Sequence, residues 1–419
     1  MQVFKIVPTI QQYDWGKIGT SSKVAVFAQS AGISDFRVDE SKPYAELWMG
    51  THLKSPSLVL VSGETLASYL AKNQNLIGEK VARKFATKDG NLPFLFKVLA
   101  IEKALSIQSH PDKATAEKLH AQQPDIYNDS NHKPEMALAI TPFTALCGFL
   151  PLVHIATYIK TVPELAALIP QAILENFLRV SPTTDPNAPA AKQALRDVFS
   201  AVMTTPAQLF TAQLSRLIER FESRSVQVEE ESVRELVLCL NRQFPNDIGT
   251  FCSFLLNYIK LSPGEAIFLG AGEPHAYISG DIIECMANSD NVIRAGLTPK
   301  LRDIPNLVHT LTYAASQASR HVVNPLPFSA SSASTLYNPP IPEFSVVRTT
   351  LTPGQYEEHR AIDGPSITIV AGGKGTLQWA SGSLSVVTGE VIFIGAVTAI
   401  DLFATGDEKL EIYRAFVEA

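Results

Sequence analysis

Gln108 and His110 are separated by one residue, in Gln108-Ser-His110. In an extended segment, side chains two apart share a face, so the amide and the imidazole point the same way. Further along the chain, Glu135 closes Asn131-His-Lys-Pro-Glu135. His275 follows a glycine-rich turn in Gly264-Glu-Ala-Ile-Phe-Leu-Gly-Ala-Gly-Glu-Pro-His275. Two imidazoles, one carboxylate and one amide would form a mixed nitrogen and oxygen ligand set. Such a set suits Zn²⁺, with Fe, Mn or Co also compatible, and leaves room for water or a substrate oxygen. Each residue also has a plainer reading. A lone buried His is usually a satisfied core residue, a loop Glu is usually solvated, and Gln is an uncommon ligand.

Other residues stand out by context. Lys97 lies inside the apolar run Phe94-Leu-Phe-Lys-Val-Leu99, where a Lys is costly unless paired or turned into a wet cavity. Glu284 alternates with apolar neighbours in Asp281-Ile-Ile-Glu284, so it can face a pocket while Ile283 faces the core; an exposed strand Glu is the alternative. His132 and Lys133, beside Glu135, are a rival acid/base pair, with a merely solvated His132 the bland reading.

Turn punctuation and periodicity divide the elements that must position these residues. Residues 1–150 alternate short β-like runs with turns, among them Lys23-Val-Ala-Val-Phe27 and Ser57-Leu-Val-Leu-Val61, interrupted by a helical stretch around Gly63 to Phe85. Residues 151–258 switch to helical spacing, as in Phe210, Leu214, Leu217, Ile218 and Phe221, then Val233, Leu236, Val237 and Leu240. This block reads as a helical insert with its apolar positions in the core and no chemistry of its own. The β pattern returns over 259–323. Residues 324–419 comprise a Ser/Ala/Pro-rich linker, to about Pro342, and a β module. The octet Gly264-Glu-Ala-Ile-Phe-Leu-Gly-Ala271 recurs as Gly389-Glu-Val-Ile-Phe-Ile-Gly-Ala396, identical at six of eight positions. Two copies of one β module are expected. In that register Ile400 stands where His275 does, so the second copy should be metal-free and structural.

Composition limits the partners. The chain has 419 residues, Lys+Arg 35 against Asp+Glu 41 and a net charge of −6, so it lacks the basic excess of a simple nucleic-acid binder. No apolar run approaches the roughly 20 residues that span a bilayer. The four cysteines, with none at CxxC spacing, fit a reducing compartment. A cytoplasmic monomer with no nucleic-acid or membrane partner is expected.

The turn ending at His275 resembles the second signature of the cupin superfamily, with Gly270 in place of the usual Pro. Gln108-Ser-His110 with Glu135 takes the place of the first signature, split by an insert, Pro111 to Ser130, that is helical around Asp112 to His120. A narrower resemblance rests on motifs in order along the chain: Tyr13-Asp-Trp-Gly16, Tyr44-Ala-Glu-Leu-Trp-Met-Gly-Thr-His52, Leu92-Pro-Phe-Leu-Phe-Lys-Val98, Leu105-Ser-Ile-Gln-Ser-His-Pro-Asp-Lys113, Asn131-His-Lys-Pro-Glu-Met136, Gly272-Glu-Pro-His-Ala-Tyr277 and Asn288-Ser-Asp-Asn-Val-Ile-Arg-Ala-Gly-Leu-Thr-Pro-Lys300. The chain resembles the type I mannose-6-phosphate isomerases. That resemblance implies a mainly β protein: a cupin jelly-roll barrel, an α-helical inserted domain and a second cupin-like C-terminal module. It implies one Zn²⁺ per chain, held by Gln108, His110, Glu135 and His275. It also implies interconversion of mannose 6-phosphate and fructose 6-phosphate through an enediolate, feeding GDP-mannose synthesis.

The chemistry then distributes roles. Arg294, placed in the active site by the resemblance, suits oxyanion stabilisation or a phosphate clamp better than proton abstraction. Glu284 is the expected proton shuttle, with His132 and Lys133 for ring opening. Lys97, Ser106, Ser109 and Lys300 are phosphate candidates, and Trp15, Glu46, Tyr277 and Asp290 are expected in the substrate cavity. Two other classes compete: a cupin-type oxygenase, which Gln108 fits poorly, and a non-catalytic sugar-binding cupin, against which the concentration of Lys97, Lys133, Arg294 and Lys300 argues.

Overall fold

In the computed structural model, which describes residues 1–224 and 226–419, one strand of 13 residues, His275–Ala287, organises the catalytic half. Its first residues pair with Phe143–Phe149 and Ile107–Ser109; its later ones pair with Phe94–Ile101 and Glu135–Ala139. The strand changes partners at Gly280. There φ is +117°, and a Cβ would come within 2.6 Å of the Pro142 carbonyl oxygen, so only glycine fits. The 10-stranded sheet built around it rolls over an apolar interior that includes Leu99, Ile101, Ala137, Cys147, Ile267 and Ile282.

The C-terminal module sets an 8-stranded sheet against a 4-stranded one. Between them lie Leu351, Val370, Ile392, Ile394, Ile400 and Leu402. The outer face of its larger sheet carries Phe4, Ile369, Phe393 and Tyr413. These share one core with Leu47, Phe94, Phe96 and Leu138 of the catalytic half. The repeated octets occupy matching places. Gly264 (φ +91°) precedes the Ala266–Leu269 strand, and Gly389 (φ +95°) precedes Val391–Ile394. His275 and Ile400 each open the following strand.

Helices run from Leu152–Thr161 to Glu231–Gln243, the longest being Ala207–Glu222 with 16 residues. Phe210, Leu214, Leu217, Phe221, Val233, Leu236, Val237 and Leu240 are buried, as their spacing requires. The β structure resumes at Leu256. The insert after His110 is also helical, Lys113–Gln122, with Asp112 capping the Thr115 N–H.

Three local expectations fail. Lys23–Ala28 is a helix, not a strand. Ser22 caps its first turn, and the faces of Val24, Ala25 and Phe27 are all buried, so a short run of apolar residues satisfied either period. The first strand, Val3–Val7, falls within residues 1–150 but hydrogen-bonds to Val391–Ile394 and Leu58–Val59 in the C-terminal sheet. The linker after Asn324 contributes Leu326–Pro327 and Ser334–Tyr337 to that same sheet.

Candidate metal centre

The Gly272 turn ties two distant segments together. Gly272 has φ +74°, and its N–H donates to the His110 carbonyl at 2.8 Å. Three residues later His275 opens its strand, with Gln108 as its Cα partner in the antiparallel ladder. Glu135 arrives on a neighbouring strand at the far side of the same barrel.

The side chains converge. His110 Nε2 lies 3.3 Å from Glu135 Oε1, and His275 Nε2 lies 3.3 Å from Glu135 Oε2. One nitrogen or oxygen from each of the three falls within 4.8 Å of the others, and all three residues are buried. The opposite ring nitrogens are engaged by backbone: His110 Nδ1 with the Asn291 carbonyl at 2.6 Å, His275 Nδ1 with the Glu273 carbonyl at 2.9 Å. A carbonyl can only accept, so each Nδ1 is the donor and each Nε2 presents a lone pair. Burial lowers the His110 pKa to about 4, which keeps its ring neutral. Both Nε2 atoms lack a hydrogen-bond partner. Two orphaned lone pairs aimed at a carboxylate repel one another unless a cation sits between them. The donor set therefore fits a divalent metal.

The surroundings are charged and mostly paired. Burial alone would push the Glu135 carboxyl up, but the Lys133 ammonium, whose Nζ is 2.8 Å away, holds it well below the usual range. Tyr277 donates to Glu135 Oε2 at 3.3 Å. Lys97 is buried between Glu284 at 3.1 Å and Glu46 at 3.5 Å, under the Trp48 ring. Burial would lower its pKa, and the two carboxylates more than offset that. Burial raises the Glu284 pKa against the opposing pull of Lys97.

A cavity of about 350 Å³ opens beside the centre, a size typical of small-molecule sites. Gln108 lines it, and so do Trp15, Glu46, Ser106, Arg294 and Lys300. Arg294 is the Cα partner of Gln108, and no carboxylate pairs with it among the described residues. Burial lowers its pKa; a guanidinium nevertheless stays protonated at neutral pH.

Several expected residues lie elsewhere. Ser109 is fully buried and absent from the cavity wall, because strand alternation turns it away from Gln108 and His110. His132 Nε2 is 2.6 Å from Glu343 and lines a separate crevice with Lys84, Asn91 and Lys113, whereas Lys133 reaches Glu135. Asp290 is 2.8 Å from Lys54 and 3.3 Å from His52, and is not part of the cavity wall. Lys97, Tyr277, Glu284 and Lys133 are buried or nearly so around the ligands rather than on that wall.

Reading the sequence missed Tyr13, Lys103, Phe244 and Thr298, all in the cavity wall. Lys103 Nζ sits 4.5 Å from the centre of the Phe244 ring, which belongs to the helical insert. That insert also grips the wall from below. Gln243 accepts from the Ala104 N–H at 2.9 Å, and Asp247 accepts from the N–H groups of Leu297 at 2.8 Å and Thr298 at 3.1 Å. Leu297 has φ +54°, a conformation a branched residue holds only when anchored. Gly249 and Gly296 let the insert and the wall approach closely: a Cβ on Gly296 would meet Gly249 Cα at 2.6 Å.

Family models match three parts of the chain. The catalytic domain of type I phosphomannose isomerase matches residues 3–152, its helical insertion domain 172–256 and its C-terminal domain 334–383. The chain is 46% identical to a mannose-6-phosphate isomerase of Cryptococcus neoformans, over 100% of this chain and 99% of that one. It is 41% identical to the human mannose-6-phosphate isomerase, over 99% and 98%. A zinc-bound crystal structure of mannose 6-phosphate isomerase superposes with a TM-score of 0.81 at 31% identity, covering 100% of both chains.

Proposed function

The chain belongs to the type I phosphomannose isomerase family, and from that premise we propose how its own residues divide the work. It is a zinc-dependent isomerase that interconverts mannose 6-phosphate and fructose 6-phosphate. Gln108, His110, Glu135 and His275 hold the ion. When bound there, zinc supplies Lewis-acid stabilisation of charge on the sugar oxygens.

Moving a carbonyl between C1 and C2 requires a bound phosphate, a proton removed from C2 and a home for the enediolate charge. Arg294 stands opposite Gln108, next to the ion site, and has no carboxylate of its own. Its guanidinium faces the developing enediolate. That leaves Lys103, Ser106 and Lys300, on the same wall, to hold the phosphate. The Glu46–Lys97–Glu284 chain carries the proton. Glu46 reaches the cavity, and Lys97 links it to Glu284, whose raised pKa suits proton exchange. Tyr277 and Lys133 hold the Glu135 carboxylate in place.

The observation that carries this reading is the pair of unpartnered Nε2 atoms aimed at Glu135 beside a cavity lined by an unpaired Arg294. A coupled assay on zinc-loaded protein tests it: mannose 6-phosphate should be converted to fructose 6-phosphate, and no turnover with stoichiometric zinc would refute it. One chain brings His110, Glu135 and His275 together, so a monomer can hold the ion without a second copy. All four cysteines are free, which supports a cytoplasmic location. The product supply to GDP-mannose synthesis follows from the same activity.

A further inference from the structure

The second barrel contains its own unresolved charge. Arg414 is 1% exposed, at the centre of the 8-stranded sheet, and its side chain points into the barrel with Val347 and Thr368, its Cα partners. A guanidinium has five N–H bonds to place. Nε donates to Ser366 Oγ at 2.9 Å, and Nη1 lies 3.4 Å from His359 Nδ1. The remaining N–H bonds have no acceptor among the described residues. No acidic side chain among them pairs with Arg414; the charged group that bears on it is another cation, Arg360. Glu357, which shares the buried face of His359 on its strand, is taken up by the hydroxyls of Ser329 and Ser331, and Glu418 by Arg360.

The rest of the cluster is neutral. His359 Nε2 is 3.0 Å from Ser334 Oγ and 3.1 Å from Thr349 Oγ1. Burial and the adjacent Arg414 lower its pKa to about 3, so it adds no charge. Thr368 Oγ1, opposite Arg414, has no hydrogen-bond partner. Burial lowers the Arg414 pKa to about 9, which still leaves it cationic at neutral pH. An isolated buried charge is strongly disfavoured unless an opposite charge or several hydrogen bonds compensate it.

We propose that the C-terminal barrel binds a small monovalent inorganic anion of the halide class, held by the spare N–H bonds of Arg414 and the hydroxyl of Thr368. The one unbalanced charge calls for a monovalent ion, and the near-total closure of the site calls for a small one. The position has a counterpart in the catalytic barrel. Ile400, which the internal repeat aligns with His275, is the Cα partner of His359. Where the catalytic barrel gathers lone pairs and a carboxylate that require a cation, the second gathers donors that require an anion. The anion would be structural and need not touch the substrate.

Crystals of the full chain grown with bromide, measured at the bromine absorption edge, should show an anomalous peak against Arg414 and Thr368. A second readout is the thermal midpoint of the zinc-loaded protein in chloride, compared with gluconate at the same ionic strength. The midpoint should climb with chloride concentration, and Arg414→Met should abolish the climb while leaving isomerase turnover at saturating substrate unchanged. Bromide confined to the Arg294 cavity, or a chloride dependence that persists in Arg414→Met, would overturn the proposal. If Arg414→Met does not fold, the bromide peak in the unaltered protein decides alone: its absence means that water satisfies the guanidinium.

Discussion

Gln108 and His275 are Cα partners across an antiparallel ladder, although they come from distant parts of the chain. The pairing sets their separation by backbone hydrogen bonding rather than by side-chain choice. Cys147 pairs with His275 from the opposite side, and Arg294 pairs with Gln108. Two of the proposed metal ligands and the guanidinium proposed to face the substrate are thus held in one continuous sheet. A site built on strands keeps its geometry better than one built on loops.

Arg294→Ala should lower kcat by about 10²–10³-fold, the usual cost of losing one preorganised donor to a developing oxyanion. Zinc content should stay at one per chain, because the guanidinium is not a ligand. Steady-state kinetics with metal analysis of the same sample checks both. A wild-type rate would remove Arg294 from the chemistry.

Asp247 lies in the helical insert, yet its carboxylate anchors Leu297 and Thr298 of the cavity wall. Asp247→Ala frees the loop that carries Lys300. KM for mannose 6-phosphate should rise on the order of tenfold, equivalent to about 1.4 kcal/mol of lost phosphate binding, with kcat nearly unchanged. Asp247→Asn, which keeps an acceptor oxygen, should recover part of the loss. A fall in kcat with constant KM would contradict a positioning role.

His132→Ala tests the separation between the crevice and the cavity. Its partner is Glu343, so the substitution should cost about 1 kcal/mol of stability and leave kcat/KM within about twofold of the parent. A large loss of kcat/KM in a stable variant would return His132 to the acid/base role.

Ile400 is buried at 1% exposure in the second barrel. Ile400→Ala should cost about 2–5 kcal/mol in denaturant unfolding through the cavity it leaves. The folded fraction should retain its zinc. Loss of metal from correctly folded protein would show that the second barrel contributes to the first one's ion.

What the sequence made readable follows from how local each signal is. Gln108 and His110 share a face because strand period is two, and the glycine turn before His275 is a short-range device. The same rule places Ser109 on the other face, and applying it there would have removed Ser109 from the phosphate residues. Lys97 was conspicuous because a cation in an apolar strand needs partners, and it has Glu46, Glu284 and Trp48. Lys23–Ala28 was ambiguous because a six-residue element buried on most sides shows no period. The pairing of Val3–Val7 with Val391–Ile394 joins the two ends of the chain, and no local pattern encodes such a contact. Lys103 and Phe244 escaped for the same reason: they form one wall from two separate segments, and a helix judged by its apolar stripe gives no hint of the residues just past its C-terminus.

Diffraction from zinc-loaded crystals at energies above and below the zinc absorption edge puts the assignment at greatest risk. A single strong anomalous peak per chain is expected within bonding distance of Gln108, His110 Nε2, Glu135 and His275 Nε2, and it should disappear in His275→Ala. A peak seated on other side chains, or full zinc occupancy retained in His275→Ala, would contradict it.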